Sequence, residues 1–223
     1  MDQLSKLSLI VMLLVTPLAW AQPALPRDLT LPNLGVAKRL VREYYSDGGY
    51  RADLQRVVES ARTYLERNLP RYALLKPALV LDIDETSISN LDYFQRYDLA
   101  FLPQEFSAWL ELGESPVIPE VLDLYRWSRA HGLAVFFISG RLERQRGSTE
   151  SNLRKAGYLD WQELILKPDG SNQPSSTFKP EQRRRIIGQG YSIVANLGDQ
   201  ESDLSGGYSE AEFKLPNPIY WIP

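Results

Sequence analysis

The stretch that most constrains the fold of this chain is residues 79–90, which read LVLDIDETSISN. The apolar run of residues 78–81 leads directly into Asp82 and Asp84. A short apolar run bounded by polar residues is typical of a strand buried on both faces of a parallel sheet. Carboxylates at the carboxyl end of such a strand lie where open α/β sheets bind ligands. Two acids this close repel each other, so the alternatives are an Asp-rich turn that caps a helix or a site that uses the pair.

The pattern of the remaining chain predicts an α/β fold. Residues 34–69 carry two helical apolar stripes separated by an Asp-Gly-Gly break, which predicts an N-terminal helical extension. Strands and helices then alternate, which favours a Rossmann-like, doubly wound parallel sheet with a small aromatic-rich insert after the first strand. That insert, residues 93–109, could line a substrate entrance or pack against the sheet. The predicted strands are 78–81, 133–138, 164–166, 191–197 and 213–215, and the predicted later helices are 103–112, 118–131, 142–156 and 180–187.

Polar residues follow two further predicted strands. Ser139 and Gly140 come after the second strand, and Asp199 and Asp203 come after the fourth. Between them, Lys179 is predicted to open the helix that follows a polar loop. Because the carboxyl ends of parallel strands gather at one edge of a sheet, these residues can share one pocket with the first motif.

These residue types suit phosphoryl transfer, which requires neutralised phosphate oxygens and a nucleophile in line. Asp82 can attack phosphorus, while Asp84 can protonate the departing alcohol and later activate water. Asp82 and Asp199, with a backbone carbonyl, offer the oxygen ligands that Mg²⁺ takes. Ser139 and Lys179 can contact phosphoryl oxygens. The single histidine and the absence of cysteine exclude multi-histidine phosphatases and cysteine nucleophiles.

The ordered motifs DIDET, FFISGR, Lys179 and GDQESD resemble those of the haloacid dehalogenase superfamily of phosphohydrolases. The flanking stretches SGRLERQRGSTESNLRKAGY, TFKPEQRRRII and FKLPNPIYWIP resemble the subfamily III (IIIB-type) acid phosphatases, which include bacterial class C enzymes and plant vegetative storage proteins. The resemblance covers residues 76–223 and extends more loosely over the helical extension. It implies an acidic optimum and the fold predicted above.

The resemblance also implies residue roles. Asp82 would be the nucleophile and Asp84 the acid/base, with the backbone oxygen of Asp84 on the metal. Lys167 is a rival for the lysine role, although the local match favours Lys179. The implied phosphate-binding residues are Ser139, Gly140 and Lys179, and the implied Mg²⁺ site comprises Asp82, Asp84, Asp199 and, through water, Asp203.

The first 21 residues read as a signal peptide, with Lys6, a short apolar run and the cleavage pattern Ala19-Trp20-Ala21. Residues 22–77 are then the helical extension and residues 78–223 the phosphatase domain. The protein is predicted to be exported, to the periplasm or beyond. No cysteine lies at the cleavage point, so no stable membrane anchoring is expected.

A formal net charge of −3 favours neither nucleic acid nor a membrane surface as a partner. The three arginines at 183–185 are predicted to form a solvent-facing helix surface. The function that unites these features is a Mg²⁺-dependent acid phosphatase acting on small phosphate monoesters, nucleotides and sugar phosphates both being open. The alternatives are a non-catalytic phosphate-binding or storage protein and a phosphotransferase to an alcohol. The sequence predicts no oligomeric state.

Overall fold

A five-stranded, entirely parallel sheet forms the centre of the computed structural model, which describes residues 32–222. The strand order is β3-β2-β1-β4-β5, with two strands on each side of β1. This arrangement confirms the predicted doubly wound α/β class. The strands are β1 (Lys76–Leu81), β2 (Ala134–Leu142), β3 (Glu163–Lys167), β4 (Tyr191–Gly198) and β5 (Glu212–Lys214).

Burial on both faces explains the unbroken apolar sequence of β1. Leu79 and Leu81 contribute to a large apolar cluster on one face of the sheet, whereas Ala78 and Val80 contribute to a second cluster on the other face. Successive side chains of a strand point to opposite faces, so a strand covered on both sides is apolar at every position. The central position of β1 also places the residue after it, Asp82, in the middle of the sheet edge.

Eight α-helices connect or cover the strands in the described part of the chain. Residues 34–68 form the two predicted helices, which are broken at Gly48, where φ is +90°. The second of these helices buries Leu54, Val58, Ala61 and Leu65 in the larger cluster, while the first buries no residue. The helices are α1 (Leu34–Ser46), α2 (Gly49–Asn68), α3 (Leu91–Arg96), α4 (Pro103–Leu112), α5 (Pro119–Ala130), α6 (Arg146–Ala156), α7 (Ser175–Gly188) and α8 (Glu201–Leu204).

Several predicted boundaries are wrong. β2 runs on to Leu142, so α6 begins only at Arg146, after a short 3-10 turn. α7 begins at Ser175, so Lys179 lies in the second turn of this helix and does not open it. Pro180, the predicted first residue of this helix, lies inside α7, where it costs one backbone hydrogen bond. The short helices α3 and α8 were not predicted.

The small insert after β1 contains α3 and α4, and it lies at the same end of the sheet as Asp82. No helix within residues 32–222 has the length and apolar character needed to cross a membrane. The predicted signal peptide, residues 1–21, lies outside the described residues, as does most of the lead-in before α1.

Candidate active site

A cavity of about 590 Å³ opens at the carboxyl ends of β1, β2 and β4. The residue at the end of β3, the insert after β1, the helix α7 and the C-terminal segment also line this cavity. It brings together all seven residues that the sequence predicts for the site: Asp82, Asp84, Ser139, Gly140, Lys179, Asp199 and Asp203.

Lys179 bridges the first and fourth motifs. Its Nζ donates hydrogen bonds of 2.5 Å to Oδ1 of Asp82 and to Oδ1 of Asp203, and all three side chains are buried. Burial alone would lower the pKa of Lys179, but the adjacent carboxylates of Asp203 and Asp82 raise it, which keeps the amine charged. The rival Lys167 donates instead to the Gln173 carbonyl and to Ser175 Oγ. The structure therefore brings Lys179, and not Lys167, to the carboxylates.

Asp82, Asp199 and Asp203 form a buried cluster in which one carboxylate oxygen from each lies within 4.8 Å of the others. Burial, with the nearby charge of Asp203, raises the pKa of Asp82 well above its ordinary value and that of Asp199 to about 7. The three carboxyl groups thus share one lysine, and the excess negative charge disfavours ionisation of all three together. A divalent cation fits this all-oxygen donor set because it would neutralise that excess.

The fourth-motif carboxylates are held by several donors. Asp199 accepts hydrogen bonds from Thr86 Oγ1 at 3.0 Å, Gln200 Nε2 at 2.5 Å and Asn217 Nδ2 at 2.7 Å. Asp203 Oδ2 accepts from the backbone N–H of Gln200, while its Oδ1 accepts from Lys179. Both oxygens of Asp199 and both oxygens of Asp203 therefore already accept hydrogen bonds, and Asp203 differs in that one of its donors is the charged amine of Lys179.

Gly198 is required for this packing. A β-carbon at this position would lie 2.3 Å from Cβ of Asp203, closer than any carbon contact allows. The glycine at the end of β4 therefore lets the Asp203 side chain fold back over the strand end. This is the physical reason for the Gly-Asp pair in the fourth motif.

Asp84 lies at the cavity with its carboxylate paired to Arg141. Arg141 donates from Nη2 to Oδ1 at 2.6 Å and from Nε to Oδ2 at 3.0 Å, and Asn90 Nδ2 donates to Oδ1 at 2.8 Å. Burial would raise the pKa of Asp84, but the charge and hydrogen bonds of Arg141 outweigh it and hold that pKa below its usual range. The Asp84 carboxylate is not part of the three-carboxylate cluster. The predicted contact of its backbone oxygen with the metal stays a prediction.

Ser139 and Gly140 lie at the end of β2 and line the cavity beside Arg141. Ser139 is buried, and its Oγ accepts a hydrogen bond from the backbone N–H of Arg141 at 3.2 Å. That bond leaves the hydroxyl hydrogen of Ser139 available to a bound anion. Gly140 has no side chain to obstruct the approach of such an anion.

Sequence reasoning missed the C-terminal segment. Tyr220 donates from its hydroxyl to Oε2 of Glu85 at 2.7 Å, and Asn217 contacts Asp199, so this segment joins the first and fourth motifs. Glu85 adopts a positive φ of +53°, and burial raises its pKa to about 7. The sequence FKLPNPIYWIP of this segment resembles the acid phosphatases named above, and that resemblance is the one sequence signal that the segment contributes to the site.

Aromatic side chains form one wall of the cavity. Phe94, Phe101 and Phe106 come from the insert, and Tyr220 and Trp221 come from the C-terminal segment. Phe94 is buried and its ring lies 5.4 Å from that of Tyr220, whereas Phe101 and Trp221 are largely exposed. The insert therefore lines the cavity, as one alternative predicted, and its buried ring of Phe94 packs against Phe106 and Tyr220 instead of joining the apolar clusters of the sheet.

The prediction of a solvent-facing arginine surface is wrong for Arg183. This side chain is fully buried and donates to the backbone carbonyls of Asp203, Leu204, Ser205 and Gly207. It reaches inward because α7 packs directly against α8, the helix that carries Asp203. Arg183 therefore supports the fourth motif from behind.

Comparison with known proteins agrees with this geometry. A sequence model described as HAD superfamily, subfamily IIIB (Acid phosphatase) matches residues 30–223. The chain belongs to this family of acid phosphatases. It is 39% identical to acid phosphatase 1 of Solanum lycopersicum, over 82% of this chain and 73% of that protein. It is 37% identical to a stem 28 kDa glycoprotein of Glycine max, over 81% of this chain and 73% of that one.

Vegetative storage protein 1 of Arabidopsis thaliana is also similar, at 37% identity over 65% of this chain and 55% of that protein. Among solved structures, the class C acid phosphatase from Bacillus anthracis superposes with a TM-score of 0.70 at 22% sequence identity. That match covers 83% of this chain and 86% of the other, and it shows a shared fold.

Proposed function

We propose that this acid phosphatase hydrolyses small phosphate monoesters with Mg²⁺, through a phosphoryl group carried transiently on Asp82. The observation that carries the proposal is the buried set of Asp82, Lys179 and Asp203, joined by hydrogen bonds of 2.5 Å at the floor of the cavity. Such a set combines a carboxylate nucleophile with a fixed positive charge at one strand end. A purely structural ion pair would not need to line a cavity.

In the proposed first step, a carboxylate oxygen of Asp82 attacks phosphorus, and the bond between phosphorus and the ester oxygen breaks. Lys179 and the hydroxyl of Ser139 supply positive charge and a hydrogen bond to the phosphoryl oxygens. The position of Asp82 is fixed by its backbone N–H, which donates to the Leu197 carbonyl at 3.0 Å. Fixing the nucleophile in this way lowers the entropic cost of reaching the transition state.

Asp84 is proposed to handle the proton. It would donate a proton to the departing alkoxide and later take one from the water that attacks the aspartyl-phosphate, which returns Asp82 to its carboxylate form. Arg141 holds the pKa of Asp84 below its usual range, so the protonated form that donates this proton is favoured only at acidic pH. This charge state is consistent with an acidic optimum.

The residues proposed to hold Mg²⁺ are Asp82 and Asp199, the backbone oxygen of Asp84, and Asp203 through water. A bound Mg²⁺ would offset the repulsion between the anionic nucleophile and the anionic substrate. The hydrogen bonds from Thr86, Gln200 and Asn217 to Asp199 support this assignment, because they orient one carboxylate from three directions.

We further propose that residues 1–21 direct export and are removed, so that the protein acts in the periplasm or outside the cell. Residues 22–77 and 78–223 are the proposed helical extension and phosphatase domain. The proposed partner is a small-molecule phosphate ester, with no role for nucleic acid and no stable membrane anchoring. The net charge of −3 and the lack of cysteine support both exclusions.

Turnover of p-nitrophenyl phosphate across pH, with Mg²⁺ and then with excess chelator, tests the proposal. We expect hydrolysis at acidic pH that is abolished by the chelator and restored by Mg²⁺. Binding of phosphate without turnover would support the storage alternative, which the names of some relatives make worth testing. Transfer to added glycerol in place of water, seen by product analysis, would support a phosphotransferase.

A further inference from the structure

Lys167 lines the catalytic cavity but has no part in the proposed chemistry. It is the last residue of β3, and its Nζ donates to the Gln173 carbonyl at 2.8 Å and to Ser175 Oγ at 3.0 Å. The Nζ also lies 6.0 Å from the centre of the Phe178 ring. An ammonium group has three N–H donors, so two hydrogen bonds leave one donor for a ligand.

Among residues 32–222, no carboxylate forms an ion pair with Lys167. Lys179 differs in this respect, since it contacts Asp82 and Asp203. Partial burial and the positive charge of Lys179 lower the pKa of Lys167. A half-buried cation without a counter-ion is costly, and an anion entering the cavity would offset that cost.

The surroundings of Lys167 place it next to the predicted phosphate position. Ser175 Oγ lies 3.3 Å from where a β-carbon of Gly140 would be, so the Lys167–Ser175 pair adjoins the second motif. Because Ser175 Oγ accepts the bond from Lys167, its hydroxyl hydrogen can be donated to a ligand. Arg144 also lines the cavity, and its largely exposed guanidinium forms an ion pair with Asp169 at 3.9 Å, a distance that leaves its other N–H groups open to a ligand.

We propose that Lys167, Ser175 and Arg144 form a second anion-binding subsite beside the scissile phosphate. This subsite selects phosphate monoesters whose leaving group carries a further anionic group, such as a carboxylate. The inference rests on the proposed function, because it assigns the substrate class of the same cavity. Lys179 serves the reacting phosphate from α7, whereas Lys167 serves the leaving group from β3.

Two esters of the same primary alcohol type separate these roles. Glycerol 3-phosphate and 3-phosphoglycerate have similar size, but the second carries a carboxylate in place of a hydroxymethyl group. The steady-state kinetics of both are measured with Mg²⁺ for the unaltered protein and for Lys167→Met, Lys167→Arg and Lys155→Met. Lys155 is the matched control, since its Nζ also donates to a backbone carbonyl, that of Gly113, but lies outside the cavity.

The unaltered protein is expected to have the higher kcat/KM for 3-phosphoglycerate. Lys167→Met should lower that value about tenfold, mainly through KM, because a charge-assisted hydrogen bond of about 1.4 kcal/mol corresponds to a factor of ten. The kcat/KM for glycerol 3-phosphate should change by less than about twofold, because this ester has no carboxylate to accept that hydrogen bond. Lys167→Arg should retain the preference, and Lys155→Met should match the unaltered protein.

Two results would overturn the inference. Equal losses for both esters would mean that Lys167 acts on the scissile phosphate, and no loss for either would mean that it binds no anion. Thermal unfolding of each variant separates these results from misfolding, and Lys167→Arg supplies the readout if Lys167→Met does not fold. If the unaltered protein hydrolyses p-nitrophenyl phosphate but neither ester, the inference alone is overturned; if it hydrolyses none of the three, the proposed function is contradicted as well.

Discussion

Arg183 makes the sharpest stability prediction, because it is a fully buried cation whose partners are all backbone carbonyls. Nε donates to Gly207 at 2.7 Å, Nη1 donates to Asp203 at 2.5 Å, and Nη2 donates to Ser205. Replacing it by methionine preserves much of the apolar stem and removes all of these bonds. The segment that follows Asp203 then loses the hydrogen bonds that it accepts from Arg183 of α7.

The expected cost follows from these bonds. The Asp203 carbonyl keeps a donor in Asn196 Nδ2 at 2.9 Å, whereas the Ser205 and Gly207 carbonyls lose a charged donor. Hydrogen bonds from charged groups contribute about 1.5 kcal/mol or more each, and removal of the buried charge returns part of the desolvation cost. We therefore expect Arg183→Met to lower the free energy of unfolding by about 3 kcal/mol, or the melting temperature by roughly 6–12 °C.

Urea and thermal denaturation followed by circular dichroism would measure this effect. Arg184→Met is the matched control, because Arg184 is the neighbouring residue in α7 and is exposed. The control should lie within about 0.5 kcal/mol of the unaltered protein. If Arg183→Met were as stable as Arg184→Met, the conclusion that Arg183 supports the fourth motif would be refuted.

Two further predictions concern the site. Arg141→Lys breaks the two-point contact with Asp84, so the pKa of Asp84 should rise. The high-pH limb of the kcat profile should then move to higher pH, and an unchanged limb would argue against Asp84 as the acid. Asn217→Ala removes one hydrogen bond that orients Asp199, so calorimetry should show Mg²⁺ binding that is weaker by about tenfold or more. The exposed Asn172→Ala is the control, and equal affinities of the two variants would mean that the C-terminal segment does not support Mg²⁺ binding.

The parts of the fold that the sequence predicts well are those with strong local patterns. Runs of apolar residues mark the buried strands β1, β2 and β4, and Gly48 separates α1 from α2 at a φ that few other residues adopt. Residues at their carboxyl ends converge because parallel strands end at one edge. This topological rule accounts for the grouping of Asp82, Asp84, Ser139, Gly140 and Asp199, whereas Asp203 and Lys179 reach the same cavity from helices α8 and α7.

The errors arise where tertiary contacts override local patterns. Pro180 indicates the start of a helix, but α7 begins a turn and a half earlier. The buried side chains of α7 offset the free-energy cost of the hydrogen bond that the internal proline removes. Arg183 belongs to a run of three arginines that favours solvent, and only the proximity of α8 makes one of them internal. Likewise, the bonds from Asn217 and Tyr220 to the first and fourth motifs join residues more than 15 positions apart, beyond any local pattern.

Asp82→Asn tests most directly whether Asp82 attacks phosphorus. Steady-state hydrolysis of p-nitrophenyl phosphate with saturating Mg²⁺ should fall on the order of 10³-fold or more, because an amide oxygen is a poor nucleophile. The fold should persist, since the surroundings of Asp82 already disfavour its charged form. Asp123→Asn, at an exposed position in α5, should leave turnover unchanged. Full hydrolysis by a folded Asp82→Asn variant would contradict the account.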